Sequence, residues 1–195
     1  INMKKLNCYT EDIFNKLLRN NLSLKQLKEY EKNNCIFVID KNDNNLLHIC
    51  ALTKNKQIFN YLLDKQFPIN NKNNQGNTVL HELCCSGYID GCKKLLNLND
   101  ININIKNKLN NTPLHIAIYN NQKDIVKLLI DHNADLDLLN DNNSSAEDEI
   151  IKFMPEIGIY LLNKKTQIMY MIPNKKKKKF ITDRTIFLDN SQNKI

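Results

Sequence analysis

The chain has 195 residues, 42% of them hydrophobic, and a formal net charge of +7. It is long enough to bury a core, but its longest apolar runs, Ile157–Leu162 and Ile168–Ile172, fall far short of the roughly 20 residues a membrane-spanning helix needs. Composition is biased: 34 Asn and 26 Lys stand against 2 Arg, 4 Gly and no Trp, so a lone Asn or Lys carries little functional meaning.

With Arg19 and Arg184 as its only guanidinium groups, the chain is not expected to read nucleic-acid sequence, which relies on Arg at base edges. Lys175–Lys179 supply five of the positive charges and leave +2 for the rest. An Ile at position 1 reads as the cut end of a longer chain.

In chain order, Ile13, Phe14, Leu17 and Leu18, then Leu24, Leu27 and Tyr30, set an apolar stripe at helical period. A repeat follows. His48, His81 and His115 are spaced 33 and 34 residues apart, and the same pattern returns around each. Asp40, Asn73 and Asn107 lie eight residues before the His. Asp43, Gly76 and Asn110 lie five before it, residue types that tolerate the left-handed backbone of a tight turn. Three before it, Asn45, Thr78 and Thr112 suit a helix N-cap. Pro113 falls where a helix's first turn needs no donor. Leu47, Leu80 and Leu114 precede the His directly. Ser145-x-x-Asp148 is a variant of the capping box in a weaker fourth unit. The longer step places a one-residue insertion near Asn97–Asp100.

The third unit is the clearest. It reads Asn-Asn-Thr-Pro-Leu-His-Ile-Ala over residues 110–117, then Asp-Ile-Val-Lys-Leu-Leu-Ile from Asp124 to Ile130, and Asn-Ala-Asp-Leu-Asp from Asn133 to Asp137. This resembles the ankyrin repeat, whose T-P-L-H-x-A signature recurs every ~33 residues. The resemblance covers about residues 10–165 and weakens outwards. It implies an all-α solenoid of stacked helix–turn–helix pairs with protruding turns, in about five units including degenerate caps. Residues 1–38 are expected to form the N-terminal cap, 39–137 the three central repeats and 138–165 a degenerate C-terminal repeat; 166–195 do not fit the frame and read as an irregular or hairpin-like basic tail, in which 166–172 is extended or a docking segment.

For the three histidines the resemblance implies a structural role, hydrogen-bonding the turn of the adjacent unit. For function it implies a non-catalytic protein-binding scaffold, whose turn tips and inner helices present a concave face. The exposed positions of that face map to Lys41, Asn42, Asn44, Leu52 and Thr53 in the first unit, and to Asn74, Gln75, Asn77, Cys85 and Ser86 in the second. The third unit gives Lys108, Leu109, Asn111, Tyr119 and Asn120. The fourth gives Asp141, Asn142, Ser144, Lys152 and Phe153. Leu52, Leu109, Tyr119 and Phe153 are the expected apolar anchors, since interface energy concentrates in a few such residues.

Catalytic and metal signatures do not occur. There is no G-x-G-x-x-G, G-x-x-x-x-G-K, G-x-S-x-G or H-E-x-x-H, and His81-x-x-Cys84 has no second ligand pair. No cofactor is expected. Cys8, Cys35, Cys50, Cys84, Cys85 and Cys92 include no C-x-x-C and are read as free thiols in a reducing compartment, cytoplasmic or nuclear. The expected partner is another protein, met by a monomer. Two alternatives stand beside this: a regulatory domain of a larger enzyme, or attachment to nucleic acid or acidic membrane through Lys175–Lys179.

Overall fold

A computed structural model describes residues 3–33 and 35–171. Its helices are α1 (Met3–Leu18), α2 (Leu24–Lys32), α3 (Leu46–Thr53), α4 (Lys56–Asp64), α5 (Val79–Ser86), α6 (Ile89–Leu96), α7 (Pro113–Tyr119), α8 (Lys123–Asp131), α9 (Ala146–Phe153) and α10 (Pro155–Met171). No strand occurs among the described residues. Contacts divide the molecule into two compact units between Met154 and Pro155, inside the 138–165 repeat expected from the sequence.

In the first unit α1, α3, α5, α7 and α9 stack in that order as one layer, and α2, α4, α6 and α8 lie behind them. Each helix pair is too short to bury its own apolar stripe, so neighbours share one core. Leu47, Leu80 and Leu114, which precede the three histidines, are at most 1% exposed. From the back layer, Ile58, Phe59, Leu62, Cys92, Leu95, Ile125, Val126 and Leu129 close the core. Phe59 meets the Tyr88 ring edge-on, with centroids 5.8 Å apart.

The turns before α3, α5, α7 and α9 project as four fingers built alike. Asp40 Oδ1 accepts the N–H groups of Asn42 and Asn44, both at 2.8 Å. Asn73, Asn107 and Asn140 do the same for the residues two and four further on, at 3.0–3.2 Å. The residue five before each histidine has left-handed backbone: Asp43 (φ 57°), Gly76 (77°) and Asn110 (53°), joined by Asn143 (53°) in the fourth finger. Fingers also bond to one another: Asn74 N–H donates to Asn42 O, Lys108 N–H to Gln75 O, and Asp141 N–H to Leu109 O. The approach is close at Gly76, where a Cβ would lie 2.7 Å from the Lys108 nitrogen.

The inserted residue after α6 changes the local turn. α4 and α8 are each followed by a left-handed residue, Gln66 and Asn133. After α6 no described residue takes that backbone, although Leu98 N–H bonds back to Leu95 O just as Gln66 and Asn133 bond back to Leu63 O and Ile130 O.

In the second unit the sequence expectation fails in part. Residues 166–171 are helical, not extended, because α10 runs unbroken from Pro155 to Met171. No Gly or Pro interrupts the chain from Ile159 to Ile172, and the β-branched and aromatic residues of 166–171 are too few to overturn a helix already propagating. The rest of the expected tail, including Lys175–Lys179, lies outside the described residues.

Candidate functional site

The three histidines are wholly buried and share one geometry. The cap residue's backbone N–H donates to Nδ1: Asn45 to His48 (3.2 Å), Thr78 to His81 (3.1 Å), Thr112 to His115 (3.2 Å). The other ring nitrogen, Nε2, reaches the finger of the following unit. It lies 3.1 Å from Asn77 O for His48, 3.1 Å from Asn111 O for His81, and 3.3 Å from Ser144 O for His115. A carbonyl on one side and an N–H on the other define the neutral tautomer protonated at Nε2. Burial lowers all three pKa values, that of His81 to about 4. The rings are therefore committed to joining units. At the fourth unit Asp148 stands in the histidine frame. Its Oδ2 takes the Ser145 N–H at 3.2 Å, so it supplies the cap and lacks the cross-unit arm.

The surface available to a partner lies on the fingers and the front helices. Lys41, Asn42, Asn74, Gln75, Cys85, Lys108, Asn120, Asp141, Asn142 and Lys152 are exposed, and Thr53, Asn77, Ser86 and Ser144 are half-buried. The four expected anchors are open to solvent: Leu52 at 39%, Leu109 at 61%, Tyr119 at 46% and Phe153 at 56%. Ser86 already serves the scaffold, donating to Ala51 O at 2.8 Å, and Thr53 donates to Ile49 O.

Two expected contact residues are corrected. Asn44 and Asn111 are each only 7% exposed, and the first belongs to an internal amide ladder. Asn73 Nδ2 donates to Asn44 Oδ1 (2.8 Å), and Asn107 Nδ2 to Asn77 Oδ1 (2.9 Å). The ladder breaks at the next step. Asn140 Nδ2 turns to Tyr119 Oη (2.8 Å) and Glu149 Oε1 (2.9 Å), and Asn111 Oδ1 is left buried without a partner.

Two functional-looking residues were not expected as such from the sequence, where Glu149 reads only as a helix-start acid. Glu82 and Glu149 directly follow the histidine-frame position and are buried, at 5% and 3% exposure. Glu82 Oε1 accepts from Asn73 Nδ2 (3.1 Å) and Asn77 Nδ2 (3.0 Å). Burial pushes its carboxyl pKa up, and those two amides hold it back in part. Tyr119 Oη–H donates to Glu149 Oε1 at 2.6 Å, which fixes an exposed aromatic ring in place. The available signal was an acidic residue within a helix's first turn, where it reads equally well as a surface charge near the positive helix end.

Two hollows open on this face. One, about 320 Å³, is lined by Asn42, Asn44, Leu52, Asn73, Asn74, Gln75 and Glu82, between the first two fingers and α3 and α5. The other, about 590 Å³, lies between α1 and the first finger and includes Glu11, Phe14, Leu18, Ile39 and Lys41. No group of three metal-binding side chains occurs among the described residues. Nor is any described helix long and apolar enough to cross a membrane.

Stacked helix pairs, fingers at a 33-residue period and histidines tying each pair to the next finger define a helical-repeat protein of the solenoid class. Family models for ankyrin repeats match residues 7–107 and 95–148, and the chain belongs to the ankyrin-repeat family. It is 36% identical over 101 residues to the putative ankyrin repeat protein FPV024 of fowlpox virus, covering 51% of this chain and 17% of that protein. It is 40% identical over 52 residues to the putative ankyrin repeat protein FPV230 of the same virus, covering 27% of this chain and 28% of the relative. Alpha-latrocrustotoxin-Lt1a of Latrodectus tredecimguttatus is 36% identical over 86 residues, 44% of this chain and 6% of the toxin. The matches thus span under a third of each relative's own length.

Proposed function

We propose that this chain is a non-catalytic adaptor that binds a polypeptide segment across its finger tips and front helices. The observation that carries this reading is the division of labour on that face. Histidines, most ladder amides and finger backbones are satisfied within the protein, while Leu52, Tyr119 and Phe153, at equivalent or neighbouring positions on the front helices, and Leu109, on a finger, stay open to solvent. Apolar anchors on a rigid scaffold, within a rim of Asn and Lys, have the composition of a protein interface. Ankyrin repeats generally serve as protein-interaction modules. The cytoplasm or nucleus is the proposed location, and the monomer the proposed state.

Site-specific photo-cross-linking tests the reading. A cross-linking residue at Leu109, on a finger, should trap a polypeptide partner in source-cell extract. The same residue at the exposed Gln57 on α4 should not. Equal trapping from both positions, or trapping only from Gln57, would contradict the assignment of this face.

A further inference from the structure

Glu82 and Glu149 occupy the same place in their units, and the residue above each comes from the same place in the unit before. For Glu149 that residue is Tyr119, whose hydroxyl donates to the carboxylate at 2.6 Å. For Glu82 it is Leu52, which has no donor. Space that Tyr119 fills in one unit is left open in the other as the 320 Å³ pocket lined by Leu52 and Glu82.

The carboxylate at that pocket is held in one orientation but incompletely satisfied. Asn73 and Asn77 both donate to Oε1, and no hydrogen bond reaches Oε2 from a described residue. Ion pairs join Lys16 to Asp12, Lys56 to Asp90 and Lys65 to Glu31, and no described residue pairs a cation with Glu82. Unlike Glu149 Oε2, which is buried without a partner, the Oε2 of Glu82 is not sealed from solvent, so it can take a donor that enters the pocket. The remaining lining (Asn42, Asn44, Asn73, Asn74 and Gln75) is uncharged amide, so nothing in the lining repels a cation. Amide carbonyls beside a carboxylate suit a multi-donor group.

We infer that this pocket receives a cationic side chain, lysine or arginine, from the bound polypeptide, with Glu82 as its carboxylate partner and the Leu52 side chain packing along its aliphatic stem. The inference rests on the polypeptide-binding reading above and adds to it the chemistry of one contact. Leu52, expected only as an apolar anchor, then covers the methylene chain while the charge goes to Glu82.

The test uses n-butylguanidinium as the probe and n-butanol as its uncharged control. Binding is read from the side-chain amide resonances of Asn73 and Asn77, which report on Oε1 directly. Saturable shifts with the cation and none with the alcohol are expected. In Glu82→Gln the apparent affinity should fall by roughly tenfold or more, on the scale of losing one partner of a desolvated charge pair. Should Glu82→Gln fail to fold, Leu52→Tyr serves alone: it copies the Tyr119–Glu149 pair, fills the pocket and should abolish the shifts. No saturable shift, equal shifts with the alcohol, or shifts that persist in a folded variant would overturn the inference. The adaptor reading would survive that result, because the cross-linking at Leu109 does not depend on Glu82.

Discussion

His81 and Asn111 lie in different repeats, yet the Nε2 of the first sits 3.1 Å from the carbonyl oxygen of the second. Both are buried, so water cannot replace the contact. His81→Ala leaves the Asn111 carbonyl and the Thr78 N–H unpaired in the core. A loss of about 3 kcal/mol is expected, since each buried orphan costs roughly 1–3 kcal/mol. Urea unfolding of the two proteins measures it. A loss under about 0.5 kcal/mol, the ordinary range for surface changes, would show that the ring does not tie the repeats.

The same contact dictates an acid sensitivity. Burial lowers the pKa of His81 to about 4, below the unfolded value near 6.5. The unfolded chain therefore binds more protons between those values. Stability is full above about pH 6.5, falls as pH drops, and is spent by about pH 4, a loss on the order of 3 kcal/mol. Glu82 works the other way: burial raises its pKa, so the folded state takes up its proton first and gains stability as pH falls through that raised value. Glu82→Gln removes this offset, and its acid loss should be steeper than that of the wild type. Thermal melts from pH 7 to pH 4 compare them; a shallower loss in the variant contradicts the assignment.

Asn45 caps α3 through its Oδ1, which accepts the His48 N–H at 3.1 Å, but it meets the histidine ring less favourably than the two threonines do. His48 Nδ1 lies 2.8 Å from Asn45 Oδ1, and with the ring protonated at Nε2 both atoms are acceptors. Thr78 and Thr112 place a hydroxyl at the equivalent spot, 2.9 and 2.8 Å from Nδ1, where it donates. Asn45→Thr should therefore stabilise the protein by about 1 kcal/mol, the usual net worth of a hydrogen bond. An unchanged or lower denaturation midpoint would show that the amide is accommodated in another way.

Gly76 answers both to backbone and to space. Its φ is 77°, and a Cβ there would lie 2.7 Å from the Lys108 nitrogen, in the neighbouring finger. Gly76→Ala should cost about 2 kcal/mol or more, above the ordinary cost of a left-handed alanine. Asn110 adopts the same backbone, and Asn110→Gly should change stability by less than about 1 kcal/mol. Equal effects at the two sites would contradict the close approach of the fingers.

The frame was legible because each of its positions has a single physical task. A turn needs left-handed backbone at Asp43, Gly76 and Asn110, and a helix needs a cap at Thr78 and Thr112. Glu82 and Glu149 were not legible, since a charged residue near a helix start normally faces water. Only the fold brings Asn73, Asn77, Asn140 and Tyr119 around them. Asn44 and Asn111 were misplaced for a related reason: with Asn so abundant in the chain, buried amides and surface amides look alike. The helix over 166–171 was missed because Ile, Tyr and Thr suggested a strand, while the absence of Gly and Pro across 159–172 was the better guide.

The polypeptide-binding face is tested most directly by the affinity of the cross-linked partner, once purified, for the wild-type chain and for the Tyr119→Ala/Phe153→Ala double variant. Binding should weaken by over tenfold in the double variant, on the scale of two interface anchors, with its far-ultraviolet circular dichroism unchanged. Equal affinity in a folded double variant would place the partner elsewhere on the protein.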